Sequence, residues 1–156
     1  HRDLHSFPTR RSSDLVLMEL CQAVVKDGEG ATKFISIMVK GARSKSDARC
    51  AAYAISNSNL VKTACFGEDP NWGRIIAALG ASGISMEKEK VGLTIGDLSV
   101  FSQNAPQEVV MSRLRDVFKK DRIDIGVDLG AGDKSYYVYT SDLSHEYVKI
   151  NAEYST

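Results

Sequence analysis

Thr32 to Val39 reads TKFISIMV, a run rich in β-branched and aromatic side chains with apolar groups at both odd and even positions. Successive strand residues point to opposite faces, so such a run suits only a sheet covered on both sides. A second run, Ile123, Ile125, Val127 and Leu129, alternates strictly with polar neighbours and reads as a half-buried strand. Around these two lie helical patterns. Leu17, Leu20, Cys21 and Val24 fall at helical spacing within Val16–Val25. An alanine-rich helix is expected from Lys45 to Ser56, with Ser44 three residues before Asp47 as its cap. Gln107 to Lys120 places Val110, Leu114, Val117 and Phe118 on one face of a helix. Leu60–Phe66, Val91–Ile95 and Leu98–Phe101 read as strands. Asp69 and Pro70 are the expected cap and first residue of a helix that runs to Gly80. Gly130 to Asp133 reads as a hairpin turn into a strand from Tyr136 to Thr140. The expected fold class is α/β (α+β), a layered mixed sheet with flanking helices.

Residues 1–15, HRDLHSFPTRRSSDL, stand apart. They have no helix or strand period, and they lack the apolar core of about 7–15 residues that a signal peptide needs. The run resembles the direct translation of a short-read sequencing adapter. We therefore expect residues 1–15 to be non-native and disordered, and residues 16–156 to form one domain. The chain has 156 residues, 43% hydrophobic and 26% charged, with 20 basic and 20 acidic side chains. No global field draws it to nucleic acid or an anionic membrane, and no apolar run approaches the ~18 residues of a membrane span. The three cysteines, Cys21, Cys50 and Cys65, fit neither a disulfide framework nor a zinc site, and buried free thiols in a reducing cytosol are the expectation.

Three places combine polar residues with a permissive backbone. In DGEGATK (Asp27–Lys33) glycines flank Glu29 and leave its carboxylate free to project, though the spacing alone favours a plain turn between helix and strand. In GEDPNWGR (Gly67–Arg74) a loop meets a helix start, where free amides attract anions, or where Asp69 caps, Trp72 packs and Arg74 pairs on the surface. The third place is the C-terminal YVKINAEYST, with Asn151 and Thr156. Such a tail ordinarily frays. His145 reads as a surface residue, and no pattern of acids, cysteines or histidines makes a metal site or a catalytic triad.

The stretches DGEGATKF (27–34), GARSKSDA (41–48), NSNLVKTACFGEDPNWGRIIAALGASG (57–83) and SDLSHEYVKINAEYST (141–156) occur in the order seen in the glutamate N-acetyltransferase, or ornithine acetyltransferase, family. The chain resembles the C-terminal part of that family's β chain. The resemblance implies transfer of acetyl from N-acetylornithine to glutamate in arginine biosynthesis, in a ping-pong cycle. The nucleophile is a threonine freed by self-cleavage of the precursor. It implies Glu29, Asn151 and Thr156 as substrate-binding residues and, for GEDPNWGR, a structural role. No catalytic residue is implied in this chain: the cleavage threonine and the oxyanion hole belong upstream of Val16. Ala31-Thr32 does not match the cleavage motif, because Lys33 and Phe34 follow it. The family implies no cofactor and no metal. Some members use acetyl-CoA as a co-substrate. It also implies a partnership with the α subunit of the same precursor in an α2β2 heterotetramer, a cytoplasmic location, and no nucleic-acid or membrane partner. Two other readings stand beside it: a self-processing aminopeptidase of related fold, and a non-catalytic interface domain. The C-terminal INAEYST and the DGEGATK loop favour the transferase over the first.

Overall fold

A computed structural model describes residues 10–109 and 111–153, with side chains from residue 13 onward. The elements are α1 (Arg10–Lys26), β1 (Phe34–Ala42), α2 (Lys45–Ser56), α3 (Asn59–Phe66), α4 (Trp72–Gly80), β2 (Gly92–Ile95), β3 (Leu98–Ser102), β4 (Ala105–Pro106), α5 (Met111–Phe118), β5 (Arg122–Asp128), β6 (Lys134–Ser141) and α6 (His145–Glu153). The strands form one mixed sheet in the order β4-β3-β2-β5-β1-β6. β1 runs parallel to β5, with Ile35 opposite Ile123 and Val39 opposite Val127, and the other pairings are antiparallel. The fold is mixed α/β, as expected.

Alternation decides where the core lies. Ile35, Ile37 and Val39 of β1, Ile123, Ile125 and Val127 of β5, and Leu93 and Ile95 of β2 are almost fully buried. They join Ala48, Ala51, Ala52 and Ile55 of α2, Val61 and Cys65 of α3, Ile75 and Leu79 of α4, and Leu114, Val117 and Phe118 of α5 in one cluster. The small alanines let α2 approach the sheet closely, because side-chain bulk sets the distance at which a helix packs. The opposite face is more open than expected. Phe34 and Ser36 are buried there, but Thr94, Arg122 and Asp124 are exposed, so only the start of β1 is covered on both sides. Over Phe34 lie Tyr139, with ring centroids 5.3 Å apart, and the cations of Lys26 and Arg122.

Several local expectations are corrected. Leu60–Phe66 lies in a helix, not a strand: the Ser58 hydroxyl accepts the Val61 amide, and Val61, Ala64 and Cys65 turn a helical stripe into the core. α4 starts at Trp72 after Asn71, and Asp69 does not cap it; the Asp69 carboxylate accepts instead from the Asn71 side chain at 3.2 Å. Gly130–Asp133 is not a hairpin turn, because β1 lies between β5 and β6. The turn wraps the end of β1: the amides of Leu129 and Ala131 donate to the carbonyls of Lys40 and Gly41 at 2.9 and 2.7 Å. A side chain at Gly132 would collide with the Ala42 carbonyl. The amphipathic helix expected from Gln107 begins only at Met111, since Pro106 belongs to β4. α1 starts at Arg10, so Arg10–Leu15 are helical where disorder was expected; residues 1–9 lie outside the described residues. Cys65 is buried as expected, but Cys21 and Cys50 are exposed.

Candidate substrate-binding site

α1 ends at Lys26, and the chain turns through Asp27–Gly30. The Asp27 amide donates to Ala23 and the Ala31 amide to Gly28, at 2.9 and 3.0 Å. Gly30 has φ +64°, and a Cβ there would lie 2.5 Å from the Tyr147 amide nitrogen. Only glycine tolerates both the backbone angle and this approach. The loop therefore sits directly on the first turn of α6. Ser144 fixes the contact from the other side: its hydroxyl donates to the Gly30 carbonyl at 2.5 Å and accepts the Tyr147 amide at 3.1 Å, so it caps α6 and ties down the loop together.

Asp142 does the same one step further along. Its buried carboxylate accepts the amides of Thr32 and Lys33 at 2.8 and 2.9 Å and the Thr32 hydroxyl at 2.5 Å. Three donors on one carboxylate hold the strand start in place. Lys33, 8% exposed along its side chain, reaches Glu68 at 2.9 Å and donates to the Lys119 carbonyl at 3.1 Å. Glu68 adopts φ +53°, an uncommon angle for a non-glycine residue, in the bend between α3 and α4. Burial pushes the nearby Cys65 thiol up to about 12; the Asp142 carboxylate adds to the shift and the Lys33 ammonium opposes it. The thiol is therefore protonated and unreactive at neutral pH.

The consequence is a meeting of residues 122 positions apart. Asn151, on α6, donates its side-chain amide to the Tyr147 carbonyl at 2.9 Å and lies 3.5 Å from the Glu29 carboxylate. Both side chains are exposed. Glu29 takes part in none of the ion pairs formed among the described residues. A carboxylate with one long amide contact keeps lone pairs for a cationic ligand, and the amide carbonyl beside it can accept a second hydrogen bond. Glu29 and Asn151 thus come together. Thr156, the third expected residue, lies outside the described residues.

GEDPNWGR has its polar groups engaged internally. Arg74 donates to the Leu60 carbonyl at 2.9 Å and to Thr63 at 3.3 Å, which braces α4 against α3, and Trp72 stacks on Phe101 at 6.0 Å. His145 lies exposed at the start of α6 with its ring edge on Phe66. Asp142 and Ser144 were not singled out in the sequence. The one legible signal was the serine just before HEYVKI, in the position of a helix cap. Among the described residues there is no group of three or more metal-ligating side chains, and no helix is long and apolar enough to cross a membrane.

The profile of the ArgJ family matches residues 8–156. The chain belongs to the ArgJ family. It is 49% identical over 146 residues to the arginine biosynthesis bifunctional protein ArgJ of Geobacter sulfurreducens, an alignment covering 90% of this chain and 36% of that protein. It is 44% identical over 151 residues to the glutamate N-acetyltransferase of Methanocaldococcus jannaschii, covering 90% of this chain and 37% of that protein. The crystal structure of the arginine biosynthesis bifunctional protein ArgJ from Bacillus halodurans superposes with a TM-score of 0.87 at 36% identity. That match covers 92% of this chain and 68% of the other. The chain therefore spans little more than a third of the length of the curated relatives it matches. The ArgJ resemblance seen in the four sequence stretches thus holds over nearly the whole chain.

Proposed function

We propose that this chain is the substrate-binding C-terminal part of a glutamate N-acetyltransferase that moves acetyl from N-acetylornithine to glutamate in arginine biosynthesis. Acetyl-CoA is a second donor in the version of this reading that makes glutamate acetylation independent of ornithine. The observation that carries the proposal is the approach of Glu29 and Asn151, brought from two separate family motifs to one exposed spot. In this reading Glu29 receives the ammonium group of ornithine by a charge-assisted hydrogen bond. Asn151 orients the same group or the neighbouring polar atoms, and Thr156 is the third substrate-binding residue. The acetyl acceptor is a threonine hydroxyl outside this chain. It attacks the acetyl carbonyl, ornithine leaves with its amine reprotonated, and glutamate then takes the acetyl from the threonine ester. Thr32 is not that nucleophile: its nitrogen lies inside a peptide bond and donates to Asp142, so it has no free α-amine to serve as base.

The test combines this chain with the part of the Geobacter relative that lies upstream of the matched region, using N-acetylornithine labelled in the acetyl group and unlabelled glutamate. Labelled N-acetylglutamate from the pair, and no labelled protein from this chain alone, is the expected outcome. An associated but inert pair, with N-acetylornithine untouched, would overturn it.

A further inference from the structure

Neither member of the Glu29–Asn151 pair holds itself in place. Both side chains are exposed, and among the described residues the Glu29 carboxylate has no side-chain partner but Asn151, at 3.5 Å. α6, which carries Asn151, buries none of its side chains, so no core contact fixes where it lies. The geometry of the pair is therefore set by the backbone of the loop and the backbone of the helix. One side-chain atom joins the two. The Ser144 hydroxyl donates to the carbonyl of Gly30, the neighbour of Glu29, and accepts the Tyr147 amide in the first turn of α6. Capping α6 requires only the bond to Tyr147; the bond to Gly30 is additional to that task. A buried hydroxyl with both its proton and a lone pair engaged has one orientation, and it fixes the loop against the helix. Asp142 anchors the chain further on, at Thr32 and Lys33, and among the described residues it accepts nothing from α6.

We propose that Ser144 is a positioning residue of the substrate site: it touches no substrate itself but sets the approach of Glu29 to Asn151 that receives the ammonium group. Its kinetic consequence rests on the acetyltransferase reading; the coupling of loop and helix does not. Misplacing a binding group by about 1 Å costs up to roughly 100-fold. Because Ser144 acts through Glu29, losing its hydroxyl costs no more than losing the Glu29 charge, and the loss falls on binding of N-acetylornithine more than on turnover.

The experiment uses two variants. Ser144→Ala removes the hydroxyl and weakens the cap. Ser144→Gly removes the hydroxyl but leaves a residue that caps helices nearly as well, so it loses less stability and carries the test even if the alanine variant folds poorly. In the active pair formed with the upstream part of the Geobacter relative, both should lower kcat/KM for N-acetylornithine about tenfold, mainly through KM, whatever their melting temperatures. Either one added to Glu29→Gln should cost less than about threefold more, since the contact that it positions has already gone. As a control for plain loss of a cap, Ser58→Ala on α3 should leave kcat/KM within about twofold. In the isotope-labelled chain alone, Glu29→Gln should shift the side-chain amide signal of Asn151 in magnetic resonance spectra, and Ser144→Gly should abolish that response. Four results overturn the proposal: kcat/KM within about twofold of the parent in both variants, a loss that multiplies in full with that of Glu29→Gln, a loss that follows the melting temperature, or an Asn151 signal that ignores Glu29 in the parent or still responds to it without the hydroxyl. A pair that transfers no acetyl refutes the acetyltransferase reading instead, and the Asn151 signal then decides the positioning by itself.

Discussion

Gly30 concentrates more of the site's geometry than any titratable residue does. Its left-handed backbone and its closeness to the Tyr147 amide let the Asp27–Gly30 turn lie on α6. Gly30→Ala should cost about 1–3 kcal/mol, the usual range for a strained backbone angle, and should loosen α6. Urea unfolding checks the magnitude, and hydrogen exchange of the Val148–Asn151 amides checks where it falls; a variant as stable as the parent would contradict the packing described. Cys65 makes a second residue-scale prediction. Its proton is held more tightly in the folded chain than in the unfolded one. The stability this gives is therefore fully present below the ordinary thiol value near 9 and is lost as pH rises toward about 12. Cys65→Ala should thus lose stability less steeply than the parent between pH 9 and 11, even though it is less stable at pH 7. A thiol reagent at pH 8 should find two reactive cysteines in the folded chain and three in denaturant, because Cys21 and Cys50 are exposed.

Among the elements, those with long-period patterns were legible. α2 begins and ends where its alanine-rich pattern and Ser44 place it, and the alternation of Ile123, Ile125 and Val127 reads out β5 and its buried face. α3 was misread because LVKTACF mixes β-branched and apolar residues in a segment too short for its period to declare itself. The deciding signal was the cap: Ser58 accepts the Val61 amide. Ser58→Ala should therefore destabilise the chain by about 1 kcal/mol, with the loss seen in thermal melting, whereas a strand would be indifferent to it. The false hairpin at Gly130–Asp133 has a different origin. Turn residues report that the chain bends, not which strand it will pair with, and β1 takes the place between β5 and β6 through contacts far away in sequence. The same limit applies to the site. Glu29 and Asn151 were named from separate motifs, but no local pattern tells that Ser144 and Asp142 would bring the two elements together.

At the scale of the whole molecule, a sheet with one packed face supports a loop and a terminal helix that meet at its edge. In the proposed function the domain supplies recognition. The proposed nucleophile is a threonine whose own free α-amine serves as base, and the Thr32 nitrogen lies inside a peptide bond and donates to Asp142. This chain alone should therefore leave labelled N-acetylornithine unchanged. Acetyl transfer that disappeared on Thr32→Val would contradict that assignment. The central claim, that Glu29 holds the substrate's ammonium group, is tested most directly in the active pair formed with the upstream part of the Geobacter relative. Glu29→Gln keeps the size of the side chain and removes its charge. A charge-assisted contact contributes about 1.5–3 kcal/mol, so kcat/KM for N-acetylornithine should fall roughly ten- to 150-fold while the melting temperature stays unchanged. A kcat/KM within about twofold of the parent, with a lowered melting temperature, would show that Glu29 only braces its turn.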